Sequence, residues 1–305
     1  MEPLCGFLLG LILAVASSAQ NNCTCATNKW TVCAQDASGN CTCTLMGSNY
    51  KVDCSTLTSK CLLMKAEIIS LKEKHFWDHP CGPLDNDGIY NPDCEDSGIF
   101  KARQCNQANT CWCMNTVRLR RTEKGDKSLR CGELVRTSWI YIELKHQKRS
   151  STFNVLDIAN VLKHLFQSRY KLHPKYIGAI KYDSPLIQIH LNENDSEKSR
   201  CDVDIADVAY YFKKDIKNDS VFHSNSTLTV SVNGDTLDIE KIRIYYVDEK
   251  PPVFCINQPV AGISAVVTDC WPRHHCAGSS EVAMDKKYEK VENKEMGEIR
   301  APSLQ

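Results

Sequence analysis

Gln104-Cys105-Asn106-Gln107-Ala108-Asn109-Thr110-Cys111-Trp112-Cys113-Met114-Asn115 is the stretch on which the reading of this 305-residue chain turns. A tryptophan stands between two cysteines, and another cysteine lies a short loop upstream. A tryptophan between two bridged cysteines is expected to pack over the disulfides and act as a miniature core. The wider cysteine pattern agrees with cross-linking. Of 18 cysteines, thirteen fall from Cys23 to Cys131, and only Cys201 and Cys255 lie between there and Cys270. A cytosolic chain rarely carries such density without metal-type repeats, whereas an oxidising compartment favours pairing. Cys23 to Cys54, with Cys-x-Cys pairs at Cys23/Cys25 and Cys41/Cys43, is too short for a hydrophobic core of its own. Bridges contributing ~2–4 kcal/mol each are expected to replace that buried area. Zinc is the competing reading, but its sites favour Cys-x-x-Cys spacing, and thiols in a secreted chain oxidise first.

The N-terminus supplies a route to such a compartment. Leu4 to Ala16 is an apolar run, and Ser17-Ser18-Ala19 offers the small residues a signal peptidase reads, so cleavage is expected after Ala19. Read as a membrane anchor instead, the run is too short to span. Five Asn-x-Ser/Thr sequons fit secretion: Asn22, Asn40, Asn194, Asn218 and Asn225. Asn22 and Asn40 each precede a cysteine, which hinders glycan transfer, and the polar setting of Asn218 and Asn225 favours them. Net charge is zero, so no global field draws in nucleic acid, and none is expected as a partner.

Beyond Cys131 ordinary periodicity takes over. Ser138 to Leu144 is rich in aromatic and β-branched residues and predicts a strand. Val155, Ile158, Ala159, Leu162, Leu165 and Phe166 follow helical spacing. Tyr176–Tyr182 and Leu186–Leu191 flank Asp183-Ser184-Pro185 as a hairpin. Asp202 or Asp204 is placed to cap a helix carrying Ala206, Ala209, Tyr210 and Lys213. Leu228–Val232 and Ile242–Val247 predict two more strands joined through Asn233-Gly234. The order β-α-β-β-α-β-β implies an α+β domain with helices on one face of a mainly antiparallel sheet.

The stretch from Cys61 to Cys131 resembles a thyroglobulin type-1 domain, whose signature joins Gln-Cys to Cys-Trp-Cys-Val; here Met114 replaces the valine. A wider resemblance covers Cys23 to about Gly297. It is carried by Asn22-Cys23-Thr24-Cys25, Val52 to Cys61, Arg118 to Cys131, Asp202 to Phe212 and Ile244-Tyr245-Tyr246-Val247-Asp248-Glu249. On these runs the chain resembles the epithelial cell adhesion molecule family, and more closely its trophoblast cell-surface antigen (tumour-associated calcium signal transducer) branch. The resemblance implies disulfides Cys23–Cys41, Cys25–Cys54, Cys33–Cys43, Cys61–Cys94, Cys105–Cys111 and Cys113–Cys131. It leaves Cys81, Cys201, Cys255, Cys270 and Cys276 without a family partner. That number is odd, so at least one stays free or pairs between chains; Cys201 with Cys255 and two unpaired thiols are both open. The resemblance further implies a type I plasma-membrane glycoprotein with an extracellular ectodomain, lateral homodimers, claudin-like partners at tight junctions, and release of a signalling tail by proteolysis. Segments are expected at 1–19 (signal peptide), 20–60 (small disulfide-rich module), 61–131 (thyroglobulin type-1) and 132–255 (α+β membrane-proximal domain). Residues 256–305 remain as remnant transmembrane and cytoplasmic sequence.

That last segment departs from the family. Val260 to Val267 is mostly apolar but stops at Thr268-Asp269, far short of the ~20 residues a bilayer requires. Yet Lys286-Lys287-Tyr288-Glu289-Lys290 resembles the family's cytoplasmic tail. Codons for Arg273 to Ser280 can be chosen so that the frame one base later reads Val-Ile-Ile-Val-Leu-Val-Leu, so a lost transmembrane helix is expected in the gene product. If the tail is as written, the protein is secreted.

Enzymatic signatures are missing: no Gly-x-Ser-x-Gly, His-Glu-x-x-His or phosphate loop occurs, so no catalytic residue, cofactor or metal is expected. The Cys270/His274/His275/Cys276 cluster lacks a matched second ligand pair. His146 and His223 are expected as surface side chains. Arg118-Leu119-Arg120-Arg121 is expected as a solvated loop, with trypsin-like processing as the alternative. Tyr210, Tyr211 and Phe212 are assigned to the core. The alternative function is inhibition of papain-like cysteine proteases by thyroglobulin-type loops.

Overall fold

The computed structural model describes residues 23–78, 90–106, 108–149, 152–199, 201–223 and 228–250. The expected leader, Asn22, Asn225, Cys81, Cys255, Cys270, Cys276 and the segment 256–305 lie outside them.

Threonine, valine and cysteine alternate through the first strands, as a pleated surface requires. Strands β1 (Thr31–Gln35), β2 (Cys41–Leu45) and β3 (Lys51–Val52) form an antiparallel sheet in that order. The register sets Cys33 directly across from Cys43, and the two are joined. The β1–β2 turn is organised by Asp36, whose Oδ1 accepts from the backbone of Ser38 and Asn40 at 2.9 Å each. Cys23–Cys41 and Cys25–Cys54 tie down the flanking chain.

A helix not anticipated from the sequence follows: α1, Lys60–Asp78. Cys61, Leu62, Leu63 and Met64 are apolar in succession, so no helical stripe is legible, and the first turn carries no acidic residue. The missing acceptor comes from far along the chain. Asp207 Oδ1 accepts the Lys60 backbone N–H at 2.6 Å, satisfying one of the orphan donors at the helix start. Leu62 and Ala66 pack on Leu45 of β2, and Cys61 is bonded to Cys94. Next, β4 (Arg103–Cys105) and β5 (Cys111–Cys113) make a short antiparallel ribbon closed by Cys105–Cys111, and Cys113 reaches Cys131.

The remaining chain forms the layered α+β unit. Its strands are β6 (Thr137–His146), β7 (Ile177–Asp183), β8 (Leu186–Asn192) and β11 (Ile239–Asp248), with order β11-β6-β8-β7 and every pairing antiparallel. Ile140, Ile142, Leu144, Ile187, Ile189 and Leu191 alternate onto one face and are fully buried. Helices α2 (Val155–Ser168) and α3 (Ile205–Ile216) cover that face with Ile158, Leu162, Phe166, Val208, Ala209, Tyr211 and Phe212. Val155, the first residue of the expected stripe, is exposed. Asp204, not Asp202, caps α3, its carboxylate accepting from Ala206 N at 2.8 Å. Asp202 instead accepts from the Tyr176 hydroxyl at 2.7 Å. The expected link through Asn233-Gly234 is corrected. That turn closes a small ribbon of its own, β9 (Ser231–Val232) with β10 (Asp235–Thr236), and the long strand β11 starts only afterwards. A two-residue Asn-Gly turn suits a tight hairpin of this kind, and Asn233 and Gly234 both take positive φ (53° and 88°). Small disulfide-rich modules followed by an α+β domain with an antiparallel sheet are thus what the chain forms.

The parts meet on α3. The buried Tyr211 hydroxyl donates to Thr27 O at 2.9 Å and accepts from Thr58 N at 3.2 Å, bridging the N-terminal module and the start of α1. Asn28 Nδ2 donates to Thr58 Oγ1 at 3.0 Å beside it. Tyr211→Phe keeps the ring but strands both backbone groups. It is expected to destabilise the protein by about 1–3 kcal/mol, read as a lower urea midpoint; an unchanged midpoint would mean that apolar packing alone holds the seam.

Candidate functional site

The cysteine-tryptophan signature turns out to be architectural. Gln104 is fully buried, accepts from Asp93 N and donates to Asp93 O and Lys101 O, all at 2.8 Å. Strand alternation turns Trp112 away from Cys111 and Cys113. Its companions are therefore not the disulfides, as expected, but Tyr90 and Met114. The Tyr90 and Trp112 rings meet edge to face at 4.9 Å, and the Tyr90 hydroxyl lies 3.1 Å from Met114 Sδ. The Arg118 guanidinium sits 4.9 Å from the Tyr90 ring and the Lys124 ammonium 5.9 Å from Trp112, so cations cap both ends of this aromatic pair.

Two expectations fail here because partners arrive from elsewhere. Arg118 to Arg121 is not a solvated loop: Leu119 and Arg121 are buried, Arg118 lies on Tyr90, and Arg121 pairs with Asp248. His146 is not a surface side chain. It is 1% exposed, with Nδ1 2.7 Å from Gln147 O and Nε2 3.2 Å from the Tyr182 hydroxyl. His223 is exposed. Tyr211 and Phe212 are fully buried; Tyr210 is half-buried and donates to Glu67 of α1 at 2.8 Å. The sulfur clusters around Cys25/Cys43/Cys54 and Cys33/Cys41/Cys43 are consumed in disulfides and offer no thiolate to a metal. Asn40, Asn194 and Asn218 are exposed; Asn218 follows α3 with φ +58°. Cys201 is an exposed free thiol, and Cys255 lies outside the described residues.

The most distinctive surface is the sheet face turned away from the helices. Across β11, β6 and β8 it presents the rows Val247–Trp139–Asn192, Tyr245–Tyr141–His190 and Arg243–Glu143–Gln188. Trp139 is 45% exposed, a high value for so large an apolar ring. The His190 ring stands edge-on to Tyr141 at 4.7 Å. Tyr245 donates its hydroxyl to Glu143 Oε2 at 3.1 Å, and Gln188 Nε2 donates to Glu143 Oε1 at 3.4 Å. Desolvation first and the Lys181 cation second hold His190 below its ordinary pKa, so it presents a neutral ring at neutral pH. Aromatic rings beside a satisfied polar row, with no cleft and no convergent acid–base pair, suit protein recognition rather than chemistry. Nothing in the cysteine pattern pointed to this face; the alternation within Ser138 to Leu144 was the only available signal.

Sequence profiles match three consecutive stretches: the epithelial cell adhesion molecule N-terminal domain at 23–60, the thyroglobulin type-1 repeat at 61–131 and the EPCAM/Trop-2 C-terminal domain at 137–248. Tumor-associated calcium signal transducer 2 of Homo sapiens is 48% identical over 97% of this chain and 95% of its own length; that of Mus musculus is 50% identical over 97% of each. Epithelial cell adhesion molecule of Homo sapiens is 43% identical over 96% of this chain and 95% of its own length. No helix among the described residues is long and apolar enough to cross a membrane.

The seam between α1 and α3 carries a pH signature. Burial first and the Asp204 anion second raise the Asp207 carboxyl to about 8, outweighing the Lys60 N–H, Lys198 and Lys60. An unfolded aspartate titrates near ~3.9, so the folded chain binds the extra proton. The resulting stability is full below about pH 4 and is lost as pH rises through about 8. Asp207→Asn keeps an acceptor for Lys60 N without the charge. Its Tm relative to the parent is expected to rise steadily from acid to mildly alkaline pH in thermal melts, and a flat or falling difference would overturn the assignment.

Proposed function

The chain belongs to the EPCAM/Trop-2 family, and from that premise we propose that it is a plasma-membrane glycoprotein of type I topology serving adhesion and signalling by lateral association of its ectodomain. Membership in a family of adhesion and signalling molecules supports the broad role. The uncovered aromatic face of the four-stranded sheet is the observation that carries the lateral association. It is rigid, because its opposite side is the main core, and it is amphipathic, as homodimer contacts require. The occupant proposed for it is a second copy of this chain. Claudin-like membrane proteins are the further partners the family resemblance favours, and release of the tail by proteolysis is the proposed signalling step.

The proposed organisation is a signal peptide at 1–19, modules at 20–60 and 61–131, a membrane-proximal domain at 132–255, and a tail at 256–305 whose transmembrane core is restored in the natural transcript. Within it the six disulfides are proposed to form in the secretory pathway, with glycans on the exposed Asn40, Asn194 and Asn218 and on Asn22 and Asn225. Surface biotinylation of cells expressing the transcript separates an anchored product from a secreted one.

The protease-inhibitor alternative has less support. The loop from Asn115 to Leu119 of the thyroglobulin-type stretch 61–131, the disulfide cassette, is buried against Ala206 and Tyr246 of the α+β unit, which leaves fewer cassette loops free to enter a cleft. The full ectodomain is expected to leave cathepsin activity unchanged.

Trp139→Glu changes an exposed side chain and is expected to alter stability by no more than ~0.5 kcal/mol. Because it places a charge on the most exposed ring of the proposed contact, it is expected to shift the ectodomain from dimer to monomer in sedimentation velocity. A dimer fraction equal to that of the parent would remove the sheet face from the interface.

A further inference from the structure

Asp248 ends β11 where three parts of the fold converge. Asn115 Nδ2 donates to its Oδ1 at 2.8 Å and its Oδ2 at 3.0 Å, and Thr137 Oγ1 donates to Oδ1 at 2.7 Å. Arg121 Nη1 donates to Oδ2, while Nη2 of the same guanidinium donates to Lys250 O at 2.8 Å. The Asp248 and Arg121 side chains are only 14% and 8% exposed. Asn115, itself fully buried, also accepts from Leu119 N at 2.6 Å and Val117 N at 3.2 Å, so the carboxylate is wired to the whole turn. Thr116 N donates to Val135 O at 3.1 Å, and Thr137 N donates to Thr116 Oγ1 at 3.0 Å, which ties the start of β6 to the same loop. Glu249 N donates to Arg136 O at 3.0 Å. Residues 248–250 are therefore fastened to the disulfide cassette and to β6 at once.

We propose that Asn115, Arg121, Thr137 and Asp248 form a latch that holds the end of β11 shut on the cassette, so that breaking this one carboxylate cluster unlocks residues 245–249 while the rest of the sheet stays closed. Geometry makes the coupling direct. Arg121 and Asn115 lie on the cassette, Arg121 inside the loop closed by Cys113–Cys131, whereas Asp248 and Lys250 lie at the far end of the α+β unit. Burial pushes the Asp248 carboxyl above its ordinary pKa even with its hydrogen bonds and Arg121 in place, so desolvation opposes the pairing. The cluster sits at a strand end, where local opening leaves the main core folded. The state of the cassette is thereby reported at the C-terminal end of β11. This coupling goes beyond the adhesion reading and does not depend on dimerisation.

Hydrogen exchange on the full-length chain tests it. Asp248→Asn removes the charge and one of the two acceptor oxygens with little change in shape, and Arg121→Lys keeps the charge but loses the fork that reaches Lys250. Asp248→Asn is expected to speed exchange across residues 245–249 by at least ~10-fold and Arg121→Lys by a smaller factor, while residues 187–191 of β8 and 205–216 of α3 stay within ~2-fold of the parent. Adding Asn115→Ala to Asp248→Asn is expected to give no further increase at 245–249, because both changes open one device. Unchanged exchange at 245–249, or equal acceleration in β8 and α3, overturns the proposal. If Asp248→Asn does not accumulate, Arg121→Lys decides the question by the same comparison.

Discussion

The Tyr211 hydroxyl, held between Thr27 O and Thr58 N, is the contact on which the arrangement of the disulfide-rich modules against the α+β unit depends. It is one of a row of polar contacts along α3 that face outward from the main core. Asp207 takes the first N–H of α1, Tyr210 reaches Glu67, and Lys214 pairs with Glu67 at 3.1 Å and Asp219 at 2.6 Å. One face of α3 closes the sheet with Val208, Ala209 and Phe212; the adjoining face fixes the disulfide-rich part. Disulfides make the front of the molecule internally rigid, but none of the six joins it to the α+β unit. That junction is made of hydrogen bonds and packed rings, each modest in net value and strongly destabilising if one partner is lost while buried.

Two junctions with different chemistry result. At α3 the seam mixes hydroxyl and amide contacts to backbone groups with the Lys214–Glu67 ion pair. At Asp248 it is ionic, with Arg121, Asn115 and Thr137 converging on one carboxylate. Removing the Tyr211 hydroxyl would leave buried backbone groups unpaired, whereas at Asp248 desolvation opposes the ion pair.

Functional interpretation shifts accordingly from motifs to surfaces. Gln104, Trp112 and the flanking cysteines carry the family signature, yet all of them are consumed in building the cassette. The surface proposed for a partner is the back of the sheet, where Trp139, Tyr141, His190 and Tyr245 are set by strand alternation. A residue can thus identify the fold while contributing nothing to contact.

By itself the sequence determined what depends on neighbours along the chain. Cysteine density pointed to cross-linking in an oxidising compartment. Period-two and helical spacing located β6, β7, β8, α2 and α3, and Asp204 stood where a cap was needed. Only the tertiary structure decided the rest. Helix α1 was invisible because its capping acceptor, Asp207, lies 147 residues away, and the bridge from Thr58 to Tyr211 spans 153. Arg121 looked solvated because Asp248 is 127 residues distant, and His146 looked exposed because Tyr182 buries it from another strand. Local periodicity records which face a residue takes on its own helix or strand. It carries no trace of a hydrogen bond whose two ends meet only after the chain has folded.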